Sequence, residues 1–202
     1  MRTKFKKLRV RSSQLFGYIL LTIILFSTSA WENTVPIVGS IIFLVGVFLV
    51  AIASLGRLWC SLYVGGFKTD ILITVGPYSC CRNPLYFFSF IGAIGVGFAT
   101  ETLFFTAIVA LAFTLYYPLV IKAEEQGLKN KHGKNFNNYV ATTPRFFPKL
   151  SLFNEPDTYT VNPKVFKKDL FQALWFIWAI GLLEIIEELH DLSIIPVIFR
   201  VY

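Results

Sequence analysis

The chain has 202 residues, 55% of them hydrophobic and only 15% charged, with a mean hydropathy of +0.61. That balance excludes an ordinary water-soluble domain and makes residence in a lipid bilayer the first expectation. The net charge of +7 would suit nucleic acid in a soluble protein, but no nucleic-acid-binding motif is present, so membrane lipids with anionic headgroups are the expected electrostatic partner and nucleic acid is not.

A basic tail, MRTKFKKLRVR, precedes an apolar run from Gln14 to Ala30. The run is long and lacks a small-residue cleavage pattern followed by a soluble protein, so it reads as a retained transmembrane helix. After the short WENT turn a second run extends from Val35 to Ala53, giving a helical hairpin over residues 14–53. Pro36 stands at the first-turn position of the second helix, where a missing N–H costs least. Residues 54–84 contain GRLWC, GGF, KTD and GPYSCCRNP, a density of Gly, Pro and Asn that predicts a loop or membrane-surface segment. Cys60, Cys80 and Cys81 lack zinc-type spacing, and the adjacent pair is poorly placed to bridge, so reduced thiols are expected.

A second hairpin covers residues 85–121, with one run from Leu85 to Ala99, a turn at Thr100 to Thr102, and another run from Leu103 to Ile121. The GAIGVG stretch inside it follows no strand, so its glycines read as close helix packing and not as a dinucleotide loop. Residues 122–150 are polar. Lys122 to Lys131 reads as a helix projecting from the membrane, Gly133 as its stop, and Pro144 and Pro148 as loop markers. In the carboxyl-terminal segment, residues 166–202, the apolar core from Leu170 to Leu183 reaches about 21 Å, against roughly 30 Å of hydrocarbon. It either spans obliquely or dips in and returns. Glu184, Glu187, Glu188 and Asp191 follow on one helical face beside His190. This face reads as solvated or interfacial, since no second ligand cluster accompanies it, and no metal is expected. The expected architecture is an all-α integral membrane protein, a single domain of four to five transmembrane helices in two hairpins plus a carboxyl-terminal helix.

Of the nineteen Lys and Arg residues, six lie in the tail, three between Arg57 and Arg82, nine between Lys122 and Lys168, and one at Arg200. The first three groups share one side of the expected topology. The positive-inside rule makes that side cytoplasmic, amino terminus included, with the short hairpin turns outside. Two polar clusters, Thr74 to Tyr86 and Lys122 to Pro148, then fall on the same face beside the second hairpin and can build one site. Each residue has an ordinary reading alone: Arg82 and Lys122 as membrane anchors, Glu125 paired with Lys129, and Tyr78, Tyr86 and Tyr139 as interfacial aromatics. Together, paired carboxylates, an Arg and several Tyr converge on one mouth. Arg82 and Glu125 are expected to stay hydrated there, and so to matter for activity more than for insertion.

These clusters carry two ordered motifs. The first is Gly76, Pro77, Tyr78, then Arg82, Asn83, Pro84 and Tyr86; the second is Glu124, Glu125, then Gly133, Tyr139, Pro144, Arg145 and Pro148. In order and spacing, over roughly half the chain, they resemble the membrane methyltransferases that include isoprenylcysteine carboxyl methyltransferase and the phospholipid N-methyltransferases. Asn83 departs from the family pattern, which has His there. An amide can hydrogen-bond but cannot titrate near neutrality, which weakens a general-base role at this position.

The resemblance implies S-adenosylmethionine as cofactor and S-adenosylhomocysteine as product, bound at cytoplasmic loops without a Rossmann domain. It implies a lipidic or prenylated small substrate entering from the bilayer, foremost the carboxyl of an isoprenylcysteine-like acceptor. Catalytic roles fall to Arg82, Glu125 and Arg145, and cofactor binding to Gly76, Pro77, Tyr78, Asn83, Pro84, Tyr86, Glu124 and Tyr139. A carboxylate nucleophile is already ionised, so Arg82 or Arg145 need only orient it; an amine would need Glu124 or Glu125 to take its proton. Phospholipid N-methylation and thiol S-methylation are the nearer alternatives. A sterol-reductase-like NADPH enzyme needs more helices than 202 residues provide, and a scaffold or transporter has no reason to carry both motifs. The acceptor and the oligomeric state stay open.

Overall fold

The computed structural model describes the backbone of residues 2–65 and 70–202, with side chains from residue 14 onward. The side chains of the basic tail, and residues 66–69 within the GGF and KTD stretches, lie outside the described residues. Helix α1 (Arg2–Leu25) leads into strand β1 (Ser27–Ser29), a helical turn α2 (Trp31–Thr34) and the long helix α3 (Pro36–Val64). The short α4 (Pro77–Cys80) precedes α5 (Pro84–Phe98), α6 (Leu103–Thr142), a 3-10 turn (Leu150–Leu152), α7 (Pro163–Ala173), α8 (Trp175–Asp191) and strand β2 (Phe199–Val201).

The distribution of side-chain size on α3 is the reverse of that in a water-soluble helix. Its buried face consists largely of small residues, among them Gly39, Gly46, Ala53, Ser54, Gly56, Cys60 and Ser61. Its exposed stripe, Ile37, Ile41, Leu44, Phe48, Ile52 and Leu55, is 48–69% accessible. Small residues inside and large aliphatics outside are what lipid-exposed helices require, because hydrocarbon solvates the large side chains while the small ones let backbones meet. Large apolar side chains are likewise exposed at Leu111, Leu115 and Leu119 of α6 and at Trp175, Trp178, Leu182 and Ile185 of α8. Three segments are long and apolar enough to cross a bilayer, Pro36–Val64, Leu103–Thr142 and Pro163–Asp191, and two shorter apolar helices, Gln14–Leu25 and Pro84–Phe98, accompany them. The molecule is an all-α integral membrane protein in which α3 and α5 form the closest pair. A Cβ added at Gly46 would lie 2.7 Å from the Gly95 carbonyl oxygen, and one at Gly95 would lie 2.8 Å from that of Gly46. The packing role expected for the GAIGVG glycines is what this contact performs.

Several boundaries differ from expectation. Helix α1 stops at Leu25 rather than Ala30, because residues 27–29 are extended and pair in parallel with Phe199–Val201. Helix α3 runs past Ala53 to Val64, so the first third of the expected loop is helical. Its GRLWC stretch holds a single glycine, Gly56, which is packed against the Phe88 ring. Helix α6 does not stop at Lys131. It continues to Thr142 across a break at Gly133, whose φ of 51° and ψ of −116° re-aim the last turns. Phe136 and Tyr139, three residues apart beyond the break, are both buried, which gives those polar turns an anchored face.

The carboxyl-terminal segment crosses the molecule and does not return. Near its start, Tyr63 at the end of α3 donates to Glu155 (2.5 Å) and stacks on Tyr159 with ring centroids 4.4 Å apart. At its far end, Ala30 N–H donates to the Val201 carbonyl (2.8 Å) and Phe104 N–H to the Tyr202 carbonyl (2.7 Å). Asn162 caps the start of α7 and a break at Leu174 separates it from α8. The chain therefore ends beside the hairpin turns, at the pole opposite the two motifs. The acidic face of α8 lies at that pole too, with the His190 ring 2.9 Å from the Leu25 carbonyl.

Candidate active site

The motif pole is built by lacing the segment after α6 onto the α4–α5 corner. Arg82 N–H donates to the Pro144 carbonyl (2.8 Å), Lys149 N–H to Cys80 (3.0 Å), and Gly76 N–H to Asn154 (2.8 Å). Asn154 N–H in turn donates to the Ser79 hydroxyl (2.9 Å). These bonds bring residues more than sixty positions apart into one network around the carboxylate of Glu125.

Glu125 Oε1 accepts from Arg82 Nε at 3.0 Å and from Asn83 Nδ2 at 3.1 Å. Its Oε2 accepts from Arg145 Nε at 3.0 Å and Nη2 at 2.7 Å. Arg82 also donates Nη1 to the carbonyls of Thr143 (2.6 Å) and Val140 (3.2 Å), while Asn83 donates to that of Arg145 (3.0 Å). The Arg82 and Glu125 side chains are only 10% and 12% accessible, whereas Arg145 is 47% accessible. This corrects the expectation that Arg82 and Glu125 stay hydrated at the mouth. It also replaces the pair of Glu125 with Lys129 by one with two arginines, Arg82 largely shielded and Arg145 exposed. The departure at Asn83 has a structural role: its amide donates at once to Glu125 and to the backbone of Arg145.

The neighbouring motif residues form two further contacts. The Tyr86 hydroxyl donates to Glu124 at 2.7 Å, and that of Tyr139 to the Tyr78 carbonyl at 2.6 Å. Glu124 is exposed, unlike Glu125. Burial pushes the Tyr78 hydroxyl well above its ordinary range and the Cys81 thiol up to about 12. Neither is an acid or nucleophile near neutrality. Gly76, Pro77 and Pro84 are buried at the α4–α5 corner.

Two cavities flank the network. One, of about 590 Å³, is polar and open to water, lined by Thr74, Ser79, Asn135, Asn138, Tyr139 and Thr143 among others. The other, of about 330 Å³, is a groove between α5 and α6, lined by Phe90, Phe113, Tyr117, Pro118, Phe146 and Phe147 with Arg145 at its polar end. Phe113 and Tyr117 stack with centroids 3.7 Å apart, and Phe146 meets Phe87 and Phe90 edge-on. The sequence reading missed Asn135 and Asn138, and also Phe113, Tyr117 and Phe146. The two phenylalanines inside TPRFFP carried the available signal, adjacent aromatics in an otherwise polar segment.

The fold is that of a helical integral membrane protein, and its motif residues form a charged network between a polar cavity and an aromatic groove. The chain belongs to the phospholipid methyltransferase family, whose sequence model matches residues 34–135, from the end of α2 to just past the α6 break. It is a membrane methyltransferase. It is 39% identical over 176 residues to the cobalt-zinc-cadmium resistance protein CzcN of Cupriavidus metallidurans, covering 87% of this chain and 80% of that protein. It is 41% identical over 159 residues to the nickel-cobalt-cadmium resistance protein NccN of Alcaligenes xylosoxydans xylosoxydans, covering 79% and 73%. No solved structure gives a significant match.

Proposed function

We propose that the protein transfers the methyl group of S-adenosylmethionine to a lipidic acceptor held in the bilayer. The observation that carries this reading is the pairing of a water-open polar cavity and an apolar aromatic groove on either side of one Arg–Glu–Arg network. A volume of about 590 Å³ with amide, hydroxyl and phenol groups on its walls suits a nucleoside carrying an amino-acid tail. Asn135, Asn138, Tyr139, Ser79 and Thr143 are the residues that would hold it. Bound there, the cofactor supplies a methyl group on a sulfonium, an electrophile that needs no further activation.

What the chain must add is alignment and exclusion of water. The groove would hold the acyl or prenyl chain, and Arg145, the more accessible arginine of the network, would meet the acceptor's polar end. For a carboxyl acceptor such as an isoprenylcysteine, Arg145 orients an already ionised nucleophile and no base is needed. The family match favours a second reading, a phospholipid amine. An amine must lose a proton, and Glu124 suits that task better than Glu125, whose two oxygens already accept from Arg82, Asn83 and Arg145. On the positive-inside rule, the polar cavity and the amino terminus face the cytoplasm.

Calorimetry on detergent-purified protein tests the proposal. Saturable binding of S-adenosylmethionine or S-adenosylhomocysteine is expected. Saturable binding of NADPH with neither of these would overturn it in favour of a reductase.

A further inference from the structure

Phe147 and Leu150 are the two most accessible large hydrophobic side chains among the described residues, at 74% and 78%. Neither belongs to an apolar helix. Both lie in TPRFFPKLSL, residues 143–152, after the polar turns that end α6. The backbone that carries them is fastened on both sides of Phe147. Arg82 N–H donates to the Pro144 carbonyl (2.8 Å), Asn83 Nδ2 to that of Arg145 (3.0 Å), and Lys149 N–H to that of Cys80 (3.0 Å). Phe146 packs inward, edge-on against Phe87 and Phe90, while its neighbour Phe147 stays exposed. A tip fastened in this way holds its two apolar side chains out, so what covers them comes from outside the chain.

Two observations point to the bilayer surface as that cover. Phe147 lines the aromatic groove together with Pro118 and Ile121, and Ile121 ends the apolar run of α6, with Lys122 next. The tip therefore returns from the polar extension of α6 to the level at which that helix leaves the hydrocarbon. The second observation is charge. Residues 143–152 contain Arg145 and Lys149 and no acid, and both Lys149 and Lys122 are exposed. Large apolar side chains beside basic ones suit the headgroup region, where the former enter the acyl boundary and the latter meet phosphates. Arg145 is committed to Glu125, which leaves the two lysines for headgroups. We propose that the Phe147–Leu150 tip is an interfacial anchor seated in the membrane surface, with Lys149 and Lys122 holding an anionic phospholipid headgroup. The anchor sets the mouth of the groove, and Arg145 with it, at headgroup depth. It does not depend on the reaction performed beside it.

Fluorescence quenching on the full chain in lipid nanodiscs tests the anchor. A thiol-reactive fluorophore is placed at Phe147→Cys or Leu150→Cys, with Lys134→Cys, beyond the α6 break, as the control. The quenchers are iodide in the water and brominated phosphatidylcholine or brominated phosphatidylglycerol in the bilayer. Labels at Phe147→Cys and Leu150→Cys are expected to be quenched by lipid and protected from iodide, and the control label the reverse. Phosphatidylglycerol should quench the tip labels in preference to phosphatidylcholine, and high salt should erase the preference. Lys149→Gln and Lys122→Gln, each combined with Leu150→Cys, should reduce the preference roughly fivefold, the effect of one basic residue at an anionic surface. Lys134→Gln should leave it unchanged, and Lys149→Arg, which keeps the charge, separates loss of charge from loss of fold. Quenching of both tip labels by iodide and by neither lipid would put the tip in water and overturn the anchor. Protection from every quencher, with a dimer in size exclusion, would mean that a second copy covers the tip and would overturn it equally. Lipid quenching with no preference for phosphatidylglycerol, or a preference untouched by both glutamine variants, would overturn the anionic headgroup.

Discussion

Glu125 is held by four donor atoms from three residues, and that geometry decides what its replacement will do. Glu125→Gln keeps the shape but removes the charge and turns one end of the side chain into a donor facing arginine. A charge-assisted hydrogen bond contributes about 1.5–3 kcal/mol, so methyl transfer should fall roughly 10- to 100-fold. Because Arg82 and Glu125 are buried, the melting temperature should fall too. Arg82→Lys cannot reproduce a fork that reaches Glu125 and two backbone carbonyls together, and it should lose stability and activity alike. Assays of methyl transfer and thermal melting on the same preparations check this; parent-like turnover in both variants would remove Arg82 and Glu125 from the site. The sequence brought Arg82, Asn83, Glu125 and Arg145 to one pole, because topology and motif order suffice for that. It did not show that they share one carboxylate. That depends on backbone bonds such as Arg82 to Pro144, which no side-chain pattern announces.

At the scale of elements, the bundle depends on the approach of α3 to α5. A side chain at Gly95 would begin 2.8 Å from the Gly46 carbonyl oxygen and 2.9 Å from the Val50 nitrogen, both backbone atoms that cannot swing aside. Gly95→Val should therefore force the helices apart, at a cost of about 1–3 kcal/mol or more, while Gly17→Val, where nothing lies within 4 Å, should be tolerated. Size-exclusion profiles and melting in one detergent distinguish the two variants; equal behaviour would mean that α3 and α5 are not closely packed. Glu101, in the turn after α5, gives a second test. Its carboxyl is raised, by burial first and then by Glu184 and Glu32. A carboxyl raised on folding favours the folded state while protonated, an advantage lost as pH rises through the folded value. Melting temperature should accordingly rise on acidification from neutrality toward the ordinary carboxylate range, and Glu101→Gln should raise it at neutral pH and flatten this dependence. The pairing of α5 with α6 was legible because long apolar runs joined by a short turn admit few alternatives in lipid. The extension of α3 through GRLWC was not, since one glycine and one arginine suggested a loop, and only the packing of Gly56 on Phe88 and of Arg57 between helices explains why the helix continues.

The whole molecule alternates direction with each long helix, so an odd number of crossings separates the two chain ends. Helix α1 runs toward the turn pole, where Leu25 meets His190; α3 returns to the motif pole; α5 descends, α6 returns, and α7–α8 descend again to the clasp of β1 with β2. Arg200 in β2 thus stands at the pole opposite Lys122, Lys131, Lys134, Arg145 and Lys149. Insertion by the positive-inside rule responds to that asymmetry, and a single arginine at the far pole does not offset it. The natural thiols do not disturb a labelling test, because Cys60, Cys80 and Cys81 are all free and buried. Lys134 and Arg200 are exposed and lie at opposite poles. With a membrane-impermeant maleimide, Arg200→Cys should react on intact cells, and Lys134→Cys only after permeabilisation. Reaction in the reverse sense would invert the molecule in the membrane and put the polar cavity on the wrong side for a cytoplasmic cofactor. Reaction of both from one side would mean that the α7–α8 pair does not cross, against the bonds that tie Tyr202 to Phe104 and Val201 to Ala30.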